Sequence, residues 1–239
     1  MRVDYSRSRE AGIIDSWQRN ALAWTHAVRS QAIESRRLVT DRAIVDTILA
    51  EGPRTVIDVG CGEGWLIRAL AERDRTLRLI GYDVVPALIE RARAAGGGEF
   101  HVASYEAVAA GGLTGIAGQR PIAAGACVVC NFSLLGKESV EALIGAVPRL
   151  LGPQGRLIIQ TLHPVVACGA LPYQDGWRPG SWAGFGSEFT DPAPWYFRTL
   201  GGWLTLLRGV GLHLVGLHEP VHPVTAQPVS VIFVADRER

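Results

Sequence analysis

The residues best suited to bind a ligand form a glycine-rich turn within residues 55–66, which read TVIDVGCGEGWL. An apolar run reaches Asp58, and Gly60, Gly62 and Gly64 follow before the pattern becomes amphipathic, like the start of a helix. Because glycine lacks a Cβ atom, it permits tight turns and lets a ligand lie against the main chain. A strand, a glycine turn and a helix in this order are typical of a nucleotide-binding crevice.

Two classes of ligand compete for this turn. The dinucleotide fingerprint is G-x-G-x-x-G, and Trp65 occupies the position of its third glycine, so the fingerprint is incomplete. Glu63, at the start of the predicted helix, also disfavours a pyrophosphate, because that group needs free N–H groups and an uncompensated positive helix end. The carboxylates of Asp58 and Glu63 instead favour a ligand whose amino-acid end is cationic.

Asp83 is the second candidate binding residue, since it ends the apolar run LRLIGYD about twenty residues beyond the glycines. A carboxylate at the end of the neighbouring strand can accept hydrogen bonds from both hydroxyl groups of a ribose. The alternative is that Asp83 only caps the next helix. The combination with the glycine turn favours the ribose interpretation.

His163 is the best-placed candidate for a general base among the six histidines. It follows the apolar run LIIQTL, so it stands at the carboxyl edge of a predicted strand, where ligands bind. A histidine is suited to this role because a base works best with a pKa near neutrality. The alternative is that the His-Pro pair ends the strand and the imidazole bonds to the backbone.

A sheet whose strand ends meet at one edge must position these residues, and the hydrophobic pattern predicts one. Apolar strand-like runs alternate with amphipathic helical runs, which indicates a mostly parallel sheet covered on both faces. The last two strands are joined by a short Pro-rich turn, which indicates an antiparallel hairpin at one edge. The predicted strands are 54–60, 77–83, 99–104, 125–131, 152–163, 212–219 and 228–236, and the predicted helices are 13–35, 41–52, 63–74, 85–98, 137–151 and 199–211.

The composition disfavours several partners. The 24 Lys and Arg residues nearly balance 23 Asp and Glu residues, which argues against nucleic acid or an anionic membrane surface as a partner. The basic clusters at 35–37 and 73–78 are interpreted as solvated helix surface. No apolar run approaches the roughly 18 residues of a membrane span, so a cytoplasmic protein is expected. Cys127 and Cys130 lie inside an apolar run and are assigned to strand packing rather than to a metal site.

The motif VIDVGCGEGWL together with Asp83 resembles the first two motifs of class I S-adenosylmethionine-dependent methyltransferases. The resemblance covers residues 40–163 by motif and the rest of the chain by strand order. It implies a three-layer α/β sandwich with a Rossmann-like, mostly parallel sheet of seven strands in the order 3-2-1-4-5-7-6, strand 7 being antiparallel. It also implies the cofactor S-adenosyl-L-methionine, which becomes S-adenosyl-L-homocysteine.

The resemblance also assigns cofactor contacts. The glycine turn would border the methionine part, Asp83 the ribose and Val84 the adenine, while CNFSLLG after the fourth strand would face both cofactor and substrate. Many members place an acid after the third strand, whereas VASYEAV offers Ser104 and Tyr105, with Glu106 as the nearest acid. The implied set is Asp58, Gly60, Cys61, Gly62, Gly64, Asp83, Val84, Ser104, Tyr105, Asn131 and Phe132.

Residues 164–198 are expected to cover the substrate, which is the acceptor of the methyl group. This segment is rich in Gly, Pro and aromatic residues, and a long aromatic loop in a compact domain is more often functional than not. A lid here would exclude water from the site on closure. With aromatics of the N-terminal helix, the predicted acceptor-binding residues are Trp17, Trp24, Trp177, Trp182, Trp195, Tyr196 and Arg198.

The predicted function is methyl transfer from S-adenosylmethionine to a small organic acceptor, at oxygen or carbon and without a metal. NFSL lacks the prolines typical of amino-group methyltransferases that act on nucleic acids, which disfavours bases as acceptors. The alternatives are a cofactor-binding scaffold without turnover and a nicotinamide-dependent oxidoreductase. The chain is expected to be a single domain, 1–239, with a helical cap at 1–50 and a lid at 164–198; the sequence predicts no oligomeric state.

Overall fold

The structure, a computed structural model, describes residues 5–111 and 125–237. Its α-helices are α1 Tyr5–Arg29, α2 Asp41–Ala50, α3 Trp65–Arg73, α4 Pro86–Ala95, α5 Tyr105–Gly111, α6 Glu138–Leu150, α7 Pro164–Ala167 and α8 Leu200–Gly209, and a π-helix spans Arg36–Thr40. Its strands are β1 Thr55–Val59, β2 Arg78–Asp83, β3 Glu99–Val102, β4 Cys127–Asn131, β5 Arg156–Leu162, β6 Gly176–Arg178, β7 Trp195–Phe197, β8 Leu212–His218 and β9 Ser230–Arg237.

The main sheet has seven strands in the order β3-β2-β1-β4-β5-β9-β8. The first five are parallel to one another, whereas β9 runs antiparallel to both β5 and β8. Once the short β6 and β7 are left out of the numbering, this order is 3-2-1-4-5-7-6. The predicted fold class, including the antiparallel last strand, is therefore confirmed.

Two apolar cores lie on opposite faces of this sheet, because alternate side chains of each strand point to opposite sides. One core joins the sheet to α5, α6 and α8, and the other joins it to α2, α3 and α4. Cys127 belongs to the second core and Cys130 to the first, and both are buried. Their thiols point to opposite faces, so the two cysteines cannot ligate one metal ion together.

Three local features differ from the predicted elements. The first helix begins at Tyr5 and ends at Arg29, so residues 30–35 lie outside it. The π-helix Arg36–Thr40, which has no periodic signature in the sequence, leads directly into α2. The short helices α5 and α7 and the β6–β7 hairpin were not predicted, because three to seven residues carry too little periodicity to indicate a helix or strand.

Helix α1 is attached to both the sheet domain and the 164–198 insertion. Asn20 donates to the carbonyl of Thr190 (2.8 Å) and accepts from its N–H (2.9 Å), and Ser16 donates to the carbonyl of Asp191 (2.7 Å). A carboxylate oxygen of Glu10 accepts from the N–H of Lys137 (2.7 Å) at the start of α6. Within the described ranges, neither this 25-residue helix nor any other is long and apolar enough to cross a membrane.

Candidate active site

A cavity of about 930 Å³ opens at the carboxyl ends of the parallel strands, which is where ligands bind in open α/β sheets. Turns that follow β1, β2 and β4 contribute to its lining, together with α1, the π-helix and the 164–198 insertion. Small-molecule sites usually enclose about 300–1,000 Å³, so this cavity lies at the upper end of that range. Its volume suits a cofactor together with a small acceptor.

The glycine turn reaches this cavity through Gly60, Cys61 and Gly62. The N–H groups of Gly60 and Cys61 both donate to the carbonyl of Tyr82, which fixes the turn to the end of β2. Gly60 has a φ of +84°, and a Cβ there would overlap the side chain of Ser133. Only glycine fits this position, because a side chain would both strain the backbone and collide with the turn after β4.

Gly64 has a different role from the other two glycines. It is absent from the described cavity lining, and a Cβ on it would come within 2.8 Å of the Phe100 ring. It lies at the start of α3 with a φ of +80°, and it packs against β3 and α4. Close packing against Phe100 therefore explains why glycine is needed at position 64, and contact of Gly64 with a cofactor stays a prediction.

Asp83 fills the capping role, one of the two between which the sequence left a choice, and ribose binding stays a prediction. One carboxylate oxygen accepts from the N–H of Val85 (2.8 Å) just before α4, and the other accepts from the N–H of Gly62 (2.9 Å). Asp83 and Val84 both line the cavity. Burial raises the pKa of Asp83, and its backbone hydrogen bonds oppose that rise. The residue thus supports the glycine turn and presents an acceptor to a ligand.

Asp58 is buried behind the turn, at 2% exposure, and is not among the described residues that line the cavity. Burial raises its pKa to about 8, and the charge of Asp83 adds to the rise. One of its oxygens has no hydrogen-bond partner within residues 5–111 and 125–237. Direct contact between Asp58 and a ligand in the cavity therefore has no support in this geometry.

We expect Asp58 to make the stability of the protein depend on pH. Its pKa is higher in the folded than in the unfolded protein, so folding binds a proton between about pH 4 and pH 8, and the free energy of unfolding falls as pH rises through this window. Asp58→Asn removes the titrating group, so urea denaturation at several pH values should show a shallower decline. If the free energy of unfolding of the variant declined equally steeply with pH, Asp58 would not be the group responsible.

Glu63 does not offer its carboxylate to the cavity, contrary to the interpretation from the sequence. Its side chain is fully buried and accepts from Nε of Arg29 (2.7 Å) and from Nη2 of Arg68 (2.6 Å). Arg68 also donates to the backbone carbonyl of Glu63 (2.7 Å). The two ion pairs tie the end of α1 and the first turns of α3 to the glycine turn, so Glu63 positions the site instead of binding a cationic ligand.

The residues expected at the adenine end line the cavity, with their polar groups partly used. Ser104 accepts from the N–H of Ala107 (3.2 Å), so it helps to begin α5. The hydroxyl of Tyr105 donates to the carbonyl of Ser133 (2.7 Å), and burial raises its pKa well above 10. Glu106 also lines the cavity and is exposed, so it is the acid best able to meet a donor there.

Asn131 and Phe132 line the cavity at the end of β4. The Oδ1 atom of Asn131 is buried and has no partner among the described residues. A buried amide oxygen without a donor is costly unless a ligand supplies one. Phe132 has a φ of +52°, a conformation that is uncommon outside glycine and is found at functional turns. Asn131 is therefore an acceptor available to a bound molecule.

Arg36 is a site residue that the sequence interpretation missed, because its basic cluster was assigned to helix surface. It is 9% exposed and lines the cavity from the π-helix, a type of helix often found at functional sites. Its guanidinium lies over the rings of Trp65 (4.4 Å) and Trp24 (5.6 Å), and Nε donates to Asp41 (2.9 Å). Its Nη2 is buried without a partner among the residues that the structure describes, which leaves a donor for an anionic group.

His163 lies beside the cavity but is not among its described lining residues, although Leu162 and Pro164 are. The imidazole is 3% exposed, and its Nε2 is 2.7 Å from a carboxylate oxygen of Glu219. Its Nδ1 is buried and has no described partner. The role of general base stays a prediction, and this placement gives it no support.

All but one of the residues predicted to bind the methyl acceptor line the cavity. Trp177 is not among the described lining residues; it packs edge-on against Tyr196 (5.6 Å), with Arg9 over its ring (5.5 Å). Arg198 is tied to the carbonyls of Gly136 (2.9 Å) and Lys137 (3.1 Å), so it anchors the insertion. The remaining predicted acceptor residues in the lining are Trp17, Trp24, Trp182, Trp195 and Tyr196.

Comparisons with known proteins agree with this geometry. A family model described as a methyltransferase domain matches residues 31–194, which is more than half of the chain. The chain is 36% identical over 112 residues to a malonyl-[acyl-carrier protein] O-methyltransferase of Hahella chejuensis, covering 46% of this chain and 37% of that protein. It is 29% identical over 123 residues to a demethylmenaquinone methyltransferase of Deinococcus radiodurans, covering 52% and 49%. The chain thus spans half or less of the length of these relatives.

Solved structures share the fold at low sequence identity. One of them is a 1,6-didemethyltoxoflavin-N1-methyltransferase of Burkholderia thailandensis, with its substrate and S-adenosylhomocysteine bound. The match has a TM-score of 0.63 at 12% identity and covers 100% of this chain and 93% of that one. At this identity the likeness concerns the fold, and it extends over the whole chain, including α1 and the insertion.

Proposed function

The chain belongs to the methyltransferase-domain family, and from this premise we propose that it transfers the methyl group of S-adenosyl-L-methionine to a small organic acceptor, at oxygen or carbon. The observation that carries the proposal is one cavity that collects Gly62, Asp83 and Asn131 and also has aromatic walls. Relatives named for a carrier-protein-bound malonyl group, a menaquinone precursor and a toxoflavin precursor support a small acceptor group.

The residues of the cavity fit this cofactor. Asp83 has a carboxylate at the cavity wall that can accept from ribose hydroxyl groups, and the partnerless Oδ1 of Asn131 suits the donor of an amino group. The free Nη2 of Arg36 suits the carboxylate of the methionine part. The cofactor supplies a methyl group activated on a sulfonium, and these side chains hold and orient it.

The contribution of the protein to the reaction is mainly alignment. The described lining contains no histidine and no lysine, and the phenol of Tyr105 stays protonated because of its raised pKa. Glu10 is engaged by N–H groups at the start of α6. Holding two reactants in a reactive orientation can itself supply much of the rate enhancement. The cavity lining therefore supports catalysis by positioning.

We also propose that the chain is a single domain, 1–239, in which residues 1–50 form a cap and residues 164–198 form the acceptor lid. Both segments line the cavity, and hydrogen bonds join Ser16 and Asn20 of α1 to the insertion. A lid of this kind excludes water and completes the acceptor site when it closes. Opening of the lid would break the hydrogen bonds that join Ser16 and Asn20 to the insertion.

Arg36→Met should weaken cofactor binding by about tenfold, because it removes a charged hydrogen bond while keeping an unbranched apolar side chain beside Trp65. The measurement is the Kd of S-adenosylhomocysteine by isothermal titration calorimetry. The matched control is Arg37→Met, since Arg37 is the exposed neighbour in the same π-helix. An unchanged Kd in Arg36→Met would contradict the assignment of this residue to the cofactor.

The proposed function is tested in two steps. Calorimetry with S-adenosylhomocysteine and with NADH separates a methyltransferase from a nicotinamide enzyme, and we expect binding of the first only. A screen of phenols, organic acids and quinone-like acceptors with methyl-labelled cofactor then tests turnover. Failure to bind either the cofactor or its product would reject the function, whereas binding without methylation of any acceptor would favour the scaffold alternative.

A further inference from the structure

The cavity holds three arginines, and only one of them has no acidic partner among the described residues. Arg36 pairs with Asp41 (2.9 Å), and Arg198 lies 3.8 Å from a carboxylate oxygen of Glu141. Arg178 instead donates from Nη2 to two backbone carbonyls, those of Pro172 (2.6 Å) and Gln174 (3.0 Å). These carbonyls orient its guanidinium without neutralising its charge.

One further donor of Arg178, its Nε atom, lies in a buried environment. This Nε atom has no hydrogen-bond partner in the described part of the chain, and the guanidinium of Arg178 lies 4.8 Å from the centre of the buried Phe197 ring. In the β6–β7 hairpin it pairs in register with Trp195, which also lines the cavity. A charged donor in such surroundings is costly unless an acceptor reaches it, and the low local dielectric strengthens the interaction once one does.

We propose that the acceptor is an organic anion with an apolar, aromatic-sized body, and that Arg178 is the residue that selects it. This inference rests on the proposed function and names the substrate class of the same site. The anionic group pairs with the charged guanidinium of Arg178 and accepts from its Nε, and the body packs among the tryptophans of the insertion and α1. Arg36, with its position beside the glycine turn, serves the cofactor, so the two cations divide the cavity between two ligands.

A neutral acceptor does not supply the negative charge that would pair with Arg178. The amide of an aromatic acid has the same shape as the acid but offers one neutral carbonyl oxygen, whereas a carboxylate accepts a charge-assisted hydrogen bond from a guanidinium. Such bonds to a charged group differ from neutral ones by enough to change affinity about tenfold or more. The acid and its amide therefore form a matched pair of probes.

The experiment is calorimetric titration of 2-naphthoate and 2-naphthamide into protein saturated with S-adenosylhomocysteine. We expect the naphthoate to bind about tenfold more tightly than the amide, R178Q to abolish this preference and R178K to keep part of it. The control is R208Q, because Arg208 is exposed on α8 and absent from the described lining. Circular dichroism verifies that each variant is folded.

Each outcome decides a separate question. Equal binding of the two probes, binding of neither, or a preference that survives in R178Q would overturn the role of Arg178 while leaving the proposed function intact. Should R178Q fail to fold, the acid–amide comparison in the wild type and R178K still decides. Absence of S-adenosylhomocysteine binding in the first place would instead reject the proposed function.

Discussion

Asp83→Ala lowers the affinity for S-adenosylhomocysteine by about a hundredfold, which is the largest functional effect that we expect. The carboxylate supports the glycine turn through the N–H of Gly62 and faces the cavity where the ribose would lie. Its removal therefore costs ligand hydrogen bonds to a charged group and also loosens the turn, together about 3 kcal/mol. Calorimetric titration of the purified variant measures the change.

Two comparisons separate the role of Asp83 in binding from its role in folding. Asp83→Asn keeps the shape and one acceptor oxygen, so its affinity should lie between those of the wild type and Asp83→Ala. Asp74→Ala is the control, since Asp74 is a partly exposed acid that caps a turn through Thr76, away from the described cavity lining. Wild-type affinity in Asp83→Ala would eliminate the ribose assignment.

Glu63→Ala lowers the free energy of unfolding by about 2–3 kcal/mol. Loss of one partner of a fully buried ion pair costs about 3–5 kcal/mol, and the cost here is smaller because Arg29 and Arg68 keep side-chain exposures of 45% and 24%. The variant also frees the end of α1 from the glycine turn, so the affinity for S-adenosylhomocysteine should fall together with stability. Urea denaturation followed by fluorescence measures the first effect.

Glu72→Ala is the matched control for this effect, because Glu72 is exposed on the same helix α3 and should change stability by about 0.5 kcal/mol or less. A double-mutant cycle of Glu63→Ala with Arg29→Ala isolates the coupling that joins α1 to the turn. If Glu63→Ala unfolds at the same urea concentration as the control, the buried ion pairs do not contribute as the geometry indicates.

The sequence by itself determined the fold and the location of the site. Apolar runs with strand and helix periodicity establish the sheet and its layers, because burial of one face dictates the period of the pattern. The glycine turn after the first strand and Asp83 after the second then had to meet at one sheet edge, since parallel strands end on the same side. These inferences depend on local patterns, which a sequence displays directly.

Only the tertiary structure decided which partner each polar side chain has. Glu63 reads as an acid open to a cationic ligand, yet Arg29, 34 residues away in sequence, occupies its carboxylate. The sequence pattern places Arg36 on a solvated surface, yet it is buried over Trp65, and only the structure shows that Gly64 packs on Phe100. Such partners depend on which distant segments the packing of helices and loops brings together, and no local pattern carries that information.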